Sequence, residues 1–266
     1  MYSLVCGWCY IRSGVLLSIG WRGPNAPNII PGMHIIVRRR FRGPPESGHG
    51  GYTCGLIAAF VDGPAEVTLR RPPPLDREME VRRLDAGCVA VYDGETLIAE
   101  AQPATLEMSI PAPVSPAEAA TARDGYLGFQ QHQFPACFGC GPERAEGDGL
   151  RIFAGPVRGR DLVAAPWTPD RSLASADGEV RPEFVWAALD DSGAWSLQSG
   201  PGDYQPMVLG RLAATLVDRV RAGEQCVVVA WPLGREERKA YSGTALFGED
   251  GSLRAYARAT WVRVRV

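Results

Sequence analysis

The chain has 266 residues, 45% of them hydrophobic and 22% charged, with a formal net charge of -2. That length holds one large domain or two ordinary ones, with enough chain to bury a core. The balanced charge excludes the global basic field of a nucleic-acid binder, and no run approaches the ~20 apolar residues of a membrane span. Lys239 is the sole lysine, so the arginine excess reads as coding bias rather than function. The seven cysteines, Cys6, Cys9, Cys54, Cys88, Cys137, Cys140 and Cys226, are odd in number. Cys54, Cys88 and Cys226 sit in apolar runs. That pattern predicts reduced thiols in a cytoplasmic protein rather than a disulfide framework.

In chain order, residues 1–32 read as a poorly ordered extension, with Met33 as an alternative start. The apolar piece Val15–Ile19 is too short for a signal peptide. His34–Phe41 is predicted as a strand. Gly51–Val61 is apolar nearly all round, which marks a buried helix. Strands are predicted over Ala65–Arg71, Met79–Asp85, Cys88–Tyr92 and Thr96–Leu106. Residues 111–134 read as a linker, rich in proline and alanine at its start. Leu150–Phe153 and Asp161–Trp167 are then predicted strands. A second helix covers Pro182–Asp190, with Pro182 at its first position and Glu183 at its positive end. Met207–Val217, Gln225–Pro232, Lys239–Phe247 and Ser252–Val264 complete the strands.

The two halves share a grammar. Tyr92-Asp93-Gly94 leads into Leu97-Ile98-Ala99-Glu100-Ala101, and Glu249-Asp250-Gly251 leads into Leu253-Arg254-Ala255-Tyr256-Ala257. Asp-Gly between alternating runs is a hairpin signal, and small alanines on one strand face let a helix lie close. The expectation is an α+β chain of two similar units, residues 33–110 and 135–266.

The order of strand, buried helix and antiparallel strands is that of the hotdog fold. Ser47-Gly48-His49-Gly50-Gly51-Tyr52 resembles the His-Gly-Gly helix start of hotdog acyl-CoA thioesterases. Cys137-Phe138-Gly139-Cys140-Gly141-Pro142, followed by Gly149-Leu150-Arg151-Ile152, resembles the lead-in of phenylacetyl-CoA-type hotdog thioesterases. Arg70–Leu75 and Trp186–Asp190 look like tandem members of that superfamily. The resemblance spans about residues 33–266 and implies a double hotdog. Its two antiparallel sheets would each wrap a central helix and lie edge to edge, forming an intrachain pseudo-dimer. It also implies acyl-CoA as substrate, no cofactor, no nucleic acid, and a homodimer of double hotdogs as a compatible assembly.

In the similar enzymes a carboxylate follows the histidine by nine residues on the same helix. Here that position is Ala58. The second helix lacks the glycines but carries Asp190, nine residues after Arg181. One composite site follows as an expectation. Gly50 and Gly51 would polarise a thioester with backbone N–H groups at a helix start, and Asp190 would activate water. Asp191 is the reserve, because a helix turns about 100° per residue and only one of the two would face the site. His49 is expected to orient rather than act as base. The bland reading makes His49-Gly50-Gly51 a tight turn and the two aspartates a polar helix end, giving a non-catalytic acyl-CoA or lipid binder. A hotdog dehydratase would need an Asp/His pair, but Asp62 falls at the wrong end of its helix.

Cys137-x-x-Cys140 lacks a second such pair and well-spaced histidines, so metal and redox roles rank below a plain loop. Arg38–Arg40 and Arg42 form a short basic run that strand alternation would split between two faces. Arg70 and Arg71, or Arg82 and Arg83, are candidate CoA-phosphate contacts or solvated edges, without a choice among them. Trp167, Trp186, Trp195, Trp231 and Trp261 are core or pocket wall.

Overall fold

The computed structural model describes residues 32–198 and 204–264. Residues 1–31 of the expected extension, with Cys6 and Cys9, lie outside them. The first half runs β1 (His34–Ile36), α1 (Gly50–Ala58), β2 (Ala65–Leu69), β3 (Glu78–Arg83), β4 (Val89–Asp93) and β5 (Thr96–Pro103). After α2 (Pro116–Asp124), the second half runs β6 (Gly155–Pro156), β7 (Val163–Trp167), α3 (Pro182–Ala188), α4 (Asp191–Trp195), β8 (Met207–Leu216), β9 (Cys226–Glu236), β10 (Lys239–Phe247) and β11 (Leu253–Arg263).

All eleven strands form one antiparallel sheet, in the order β1-β3-β4-β5-β2-β8-β11-β10-β9-β7-β6. The expectation of two sheets edge to edge is therefore corrected to one continuous sheet. The half-sheets fuse where β2 pairs with β8, with Val67 opposite Leu212 and Thr68 opposite Arg211. An unpaired strand edge leaves a row of open N–H and C=O groups, and pairing the two inner edges removes both at once. Arg211 fastens the join, donating from Nε to Thr68 Oγ1 at 2.9 Å and meeting Glu66 at 3.4 Å. Read inward from β7, next to the edge strand β6, the second half orders β7-β9-β10-β11-β8 as the first orders β1-β3-β4-β5-β2. In each half, helix follows the outermost strand of that pattern in the chain and precedes the innermost, β2 or β8.

The two matching hairpins form as expected. Asp93 pairs with Thr96 across Gly94 at φ +58°, and Phe247 pairs with Leu253 beside Gly251 at φ +75°. Both glycines hold the left-handed backbone that such turns need. The alternating alanines Ala99, Ala101, Ala255, Ala257 and Ala259 are all buried. On the neighbouring strands β2 and β8 lies α1, and α3 packs on α1.

The expected linker is ordered in part. Ser115 caps α2 in a reciprocal capping box with Glu118, and Pro116 opens the helix. Ala119 and Ala122 then pack with Val157, Leu162, Val227, Val229 and Trp231. Val228 and Ala230, the alternate positions of β9, join the main core instead. The second half-sheet is thus covered on both faces, which explains why β9 is a continuous apolar run rather than an alternating one.

Two further expectations fail locally. Leu150–Phe153 is no strand: Arg151 sits at φ +55°, and the Leu150 and Ile152 N–H groups bond to Phe138 and Gly139 carbonyls. The strand expected over His34–Phe41 stops at Ile36, and Arg39–Phe41 is a 3-10 turn.

Candidate functional site

The site lies where α1 meets the α3–α4 junction. Two glycines make that meeting possible. A Cβ on Gly51 would stand 2.6 Å from both the Asp190 Cβ and the Trp186 carbonyl, and one on Gly55 would stand 2.6 Å from the Glu183 backbone. Four residues apart, they share one face of α1 and let α3 approach to backbone contact. A packing reason for Gly51 thus stands beside the catalytic one expected from sequence.

The second helix, expected as one piece over Pro182–Asp190, breaks at Asp190, whose backbone is non-helical at φ -86° and ψ -85°. The break overturns the expectation that only one aspartate faces the site. Asp190 Oδ2 accepts the Gly51 N–H at 2.6 Å and lies 3.6 Å from His49 Nδ1. Asp191 Oδ2 meets His49 Nε2 at 2.8 Å. His49, Gly50, Gly51, Asp190 and Asp191 are therefore together, drawn from segments about 140 residues apart in sequence.

His49 is the N-cap of α1. In the neutral ring Nδ1 accepts the Tyr52 N–H at 3.2 Å, which places the proton on Nε2, facing Asp191. Burial favours the neutral ring, but Asp191 and Cys137 outweigh it and hold His49 well above its ordinary range. At Asp190 burial dominates over the nearby His49, pushing the carboxyl up to about 8. Asp190 Oδ1 is buried with no hydrogen-bond partner among the described residues. Burial acts on Asp191 in the same sense, but His49 prevails and holds it below its usual range.

The Cys137–Cys140 loop is not a bystander. Gly139 lies against the His49–Asp191 pair, and a side chain there would overlap Asp191 Oδ2. Cys137 Sγ lies 3.6 Å from Asp191 Oδ2, and His132 Nε2 lies 3.3 Å from Cys140 Sγ. The hydrogen bond offered by Cys140 lowers the Cys137 thiol to about 6, aided by His49 and opposed by burial and Asp191. Sequence reasoning missed Cys137, Gly139, Cys140 and His132 as neighbours of this site. Gly139 and Gly141, on either side of Cys140, were the available signal for a loop pressed tightly onto something.

The same cluster offers a set of metal-type donors. His49 Nε2, Cys137 Sγ and a carboxylate oxygen of Asp191 lie within 4.8 Å of one another. A ligating imidazole needs a lone pair on the metal side and a proton on its other nitrogen. Here His49 Nδ1 and His132 Nδ1 each accept a backbone N–H, from Tyr52 and from Phe134. Both rings thus turn an N–H outward, and the histidines do not fit as ligands.

A pocket of about 50 Å³ opens beside this group, lined by His132, Cys137, Cys140, Asp191, Met207 and Trp261 among others. Asp191, not Asp190, reaches it. Trp195 and Trp261 form part of its wall, while Trp167 and Trp186 are core. A wider groove of about 640 Å³ elsewhere contains Arg254, which Asp218, Glu224 and Asp250 already neutralise. Of the candidate phosphate contacts, Arg70 pairs with Glu100 and Arg82 with Glu80. Asp62 is exposed beyond the end of α1, away from His49; the aspartates that stand against His49 are Asp190 and Asp191.

The fold these elements define is the hotdog fold. It is shared with a conserved protein of unknown function from Alicyclobacillus acidocaldarius, described as having that fold, at TM-score 0.55 and 10% identity over 88% of this chain and 93% of that one. The tesB protein of Mycobacterium avium subsp. paratuberculosis matches at TM-score 0.53 and 13% identity, over 91% and 92% of the two chains. No protein-family model and no curated protein matches the sequence. Among the described residues no helix is long and apolar enough to cross a membrane.

Proposed function

We propose that the chain is a fused pair of hotdog units that hydrolyses thioesters of the acyl-CoA class at one composite site. The observation that carries this reading is Asp190. It comes from the second half, is buried against the helix start of the first, and keeps Oδ1 unpartnered. A carboxyl pushed up to about 8 exchanges its proton near neutrality, as a general acid–base group must. In its ionised form it takes a proton from water. The Gly51 N–H, with the positive end of α1 behind it, moves from Asp190 to the thioester oxygen and stabilises the oxyanion. Asp191 holds His49, and His49 caps the helix that carries these donors.

The test is thiol release from short, long and aromatic acyl-CoAs. Asp190→Asn is expected to lower it by about 10²–10⁴-fold, the usual worth of a general base. Undiminished hydrolysis in the variant would remove Asp190 from the mechanism.

A second reading, a non-catalytic binder of acyl-CoA or lipid, is favoured by two specific observations. The Gly51 N–H is already taken by Asp190, and a pocket of about 50 Å³ holds water-sized molecules rather than an acyl chain. Heat stabilisation by CoA esters without thiol release selects it.

A further inference from the structure

Beyond the hydrolase reading, and independent of it, we propose that Cys137 and Cys140 form a peroxide-reactive dithiol that closes to a disulfide. Four observations carry it. The turn that holds the pair is built around them, with the Gly141 N–H donating to the Cys137 carbonyl at 3.0 Å and no room for a side chain on Gly141. Cys140 is thereby three residues on in the same turn, and both cysteines line one pocket. Each sulfur has an imidazole nearby: a His49 ring nitrogen lies within 4.8 Å of Cys137 Sγ, and His132 Nε2 stands 3.3 Å from Cys140 Sγ. The backbone N–H groups of Tyr52 and Phe134 keep the protons of both rings on the nitrogens that face this cluster. An N–H beside sulfur stabilises thiolate, the reactive form.

The pocket beside the pair chooses the oxidant. Both cysteines line a space of about 50 Å³, which admits a molecule little larger than water and excludes a bulky disulfide. Hydrogen peroxide meets that limit. The Cys137 thiolate attacks one peroxide oxygen, forming S–O and breaking O–O; the other oxygen leaves and takes up a proton as water. Cys137 is then a sulfenic acid. The Cys140 sulfur attacks Cys137 Sγ, forming S–S and breaking S–O, and the departing hydroxide takes the Cys140 proton as a second water. Two thiols lose two electrons, and one peroxide gains them.

Cys54 and Cys226 supply the internal comparison. Both are buried, burial raises both thiols, and Cys226 is pushed up to about 12. By contrast Cys137 lies at about 6.

Cleavage after Arg123 and Arg144 gives one peptide containing Cys137 and Cys140 and no other cysteine. The full-length protein is treated with hydrogen peroxide, quenched, alkylated and mapped by mass spectrometry. The expected result is a 124–144 peptide lighter by two hydrogen atoms, restored by dithiothreitol, and formed roughly tenfold or more faster than Cys54 or Cys226 is modified. Cys140→Ser is expected to leave a Cys137 sulfenic acid that dimedone traps. Cys137→Ser is expected to leave Cys140 unreactive at the same dose. Three results would overturn the proposal. One is equal oxidation of Cys54 and the pair in the unaltered protein. Another is retained reactivity of Cys140 in Cys137→Ser. The third is stoichiometric zinc on the purified protein that shields both thiols. The first and third need no variant, so a misfolded variant does not protect the idea.

Discussion

Asp190 shows how a single residue depends on its surroundings. In an unfolded chain its carboxyl would titrate near 3.8, whereas burial beside Gly51 pushes it up to about 8. Between those values the folded state holds a proton that the unfolded state has released, so stability falls as pH rises across the window. His49, Asp191 and Cys137 face the same carboxyl, and Cys54 also feels its charge. Thermal melts of the parent and of Asp190→Asn across the window are expected to converge in slope only if another group is responsible. A shallower pH dependence in the variant assigns the effect to Asp190. The sequence showed that Asp190 and Asp191 were adjacent and that the first helix start carried glycines. It did not show that both aspartates would reach His49, because a 100° helical step forbids it. The break at Asp190 is made by tertiary packing, and no proline or glycine marks it. Nor could Cys137 be connected to His49, since 88 positions separate them in sequence.

The helices and hairpins were legible to differing degrees for physical reasons. Asp93-Gly94 and Asp250-Gly251 encode their turns locally, so both hairpins fell where expected. The capped helix α2 was hidden in a stretch read as linker, although Ser115 and Glu118 stand at capping-box spacing. Its burial of Ala119 and Ala122 also explains why alanine there is structural rather than filler. The contact between α1 and α3 gives the clearest test at this level. Gly51→Ala and Gly55→Ala each insert a methyl against backbone, at 2.6 Å from Trp186 and Glu183 atoms respectively. Each is expected to cost about 1–3 kcal/mol through overpacking, read as a lowered denaturation midpoint. Because Gly55 is a turn away from Asp190, its replacement separates damage to packing from damage to the Gly51–Asp190 hydrogen bond.

Across the whole molecule, the matching hairpins led to an expectation of two units with their sheets edge to edge. They did not identify β2 and β8 as the strands that meet, or that the result is one continuous sheet. Edge pairing is decided by which strands remain unpaired, and no short motif records it. Val67 and Leu212 meet at this join, and both are fully buried. Leu212→Ala is expected to cost about 2–5 kcal/mol. Unfolding is expected to remain one transition by fluorescence and circular dichroism alike, since the core beneath the join runs through both halves. Two resolved transitions, with the first half melting separately, would show that the sheet is continuous in geometry but not in cooperativity.

The covalent link between β2 and β8 has a further consequence. Two half-sheets on separate chains would associate by mass action and come apart on dilution. On one chain the meeting is unimolecular, governed by the effective concentration that the connecting segment imposes. The join is therefore expected to persist at any protein concentration, and to hold the two halves at one-to-one stoichiometry without any sorting of partners. That fixed pairing is the condition under which the two halves could come to differ, one carrying His49-Gly50-Gly51 and the other Asp190-Asp191, without risk of like meeting like.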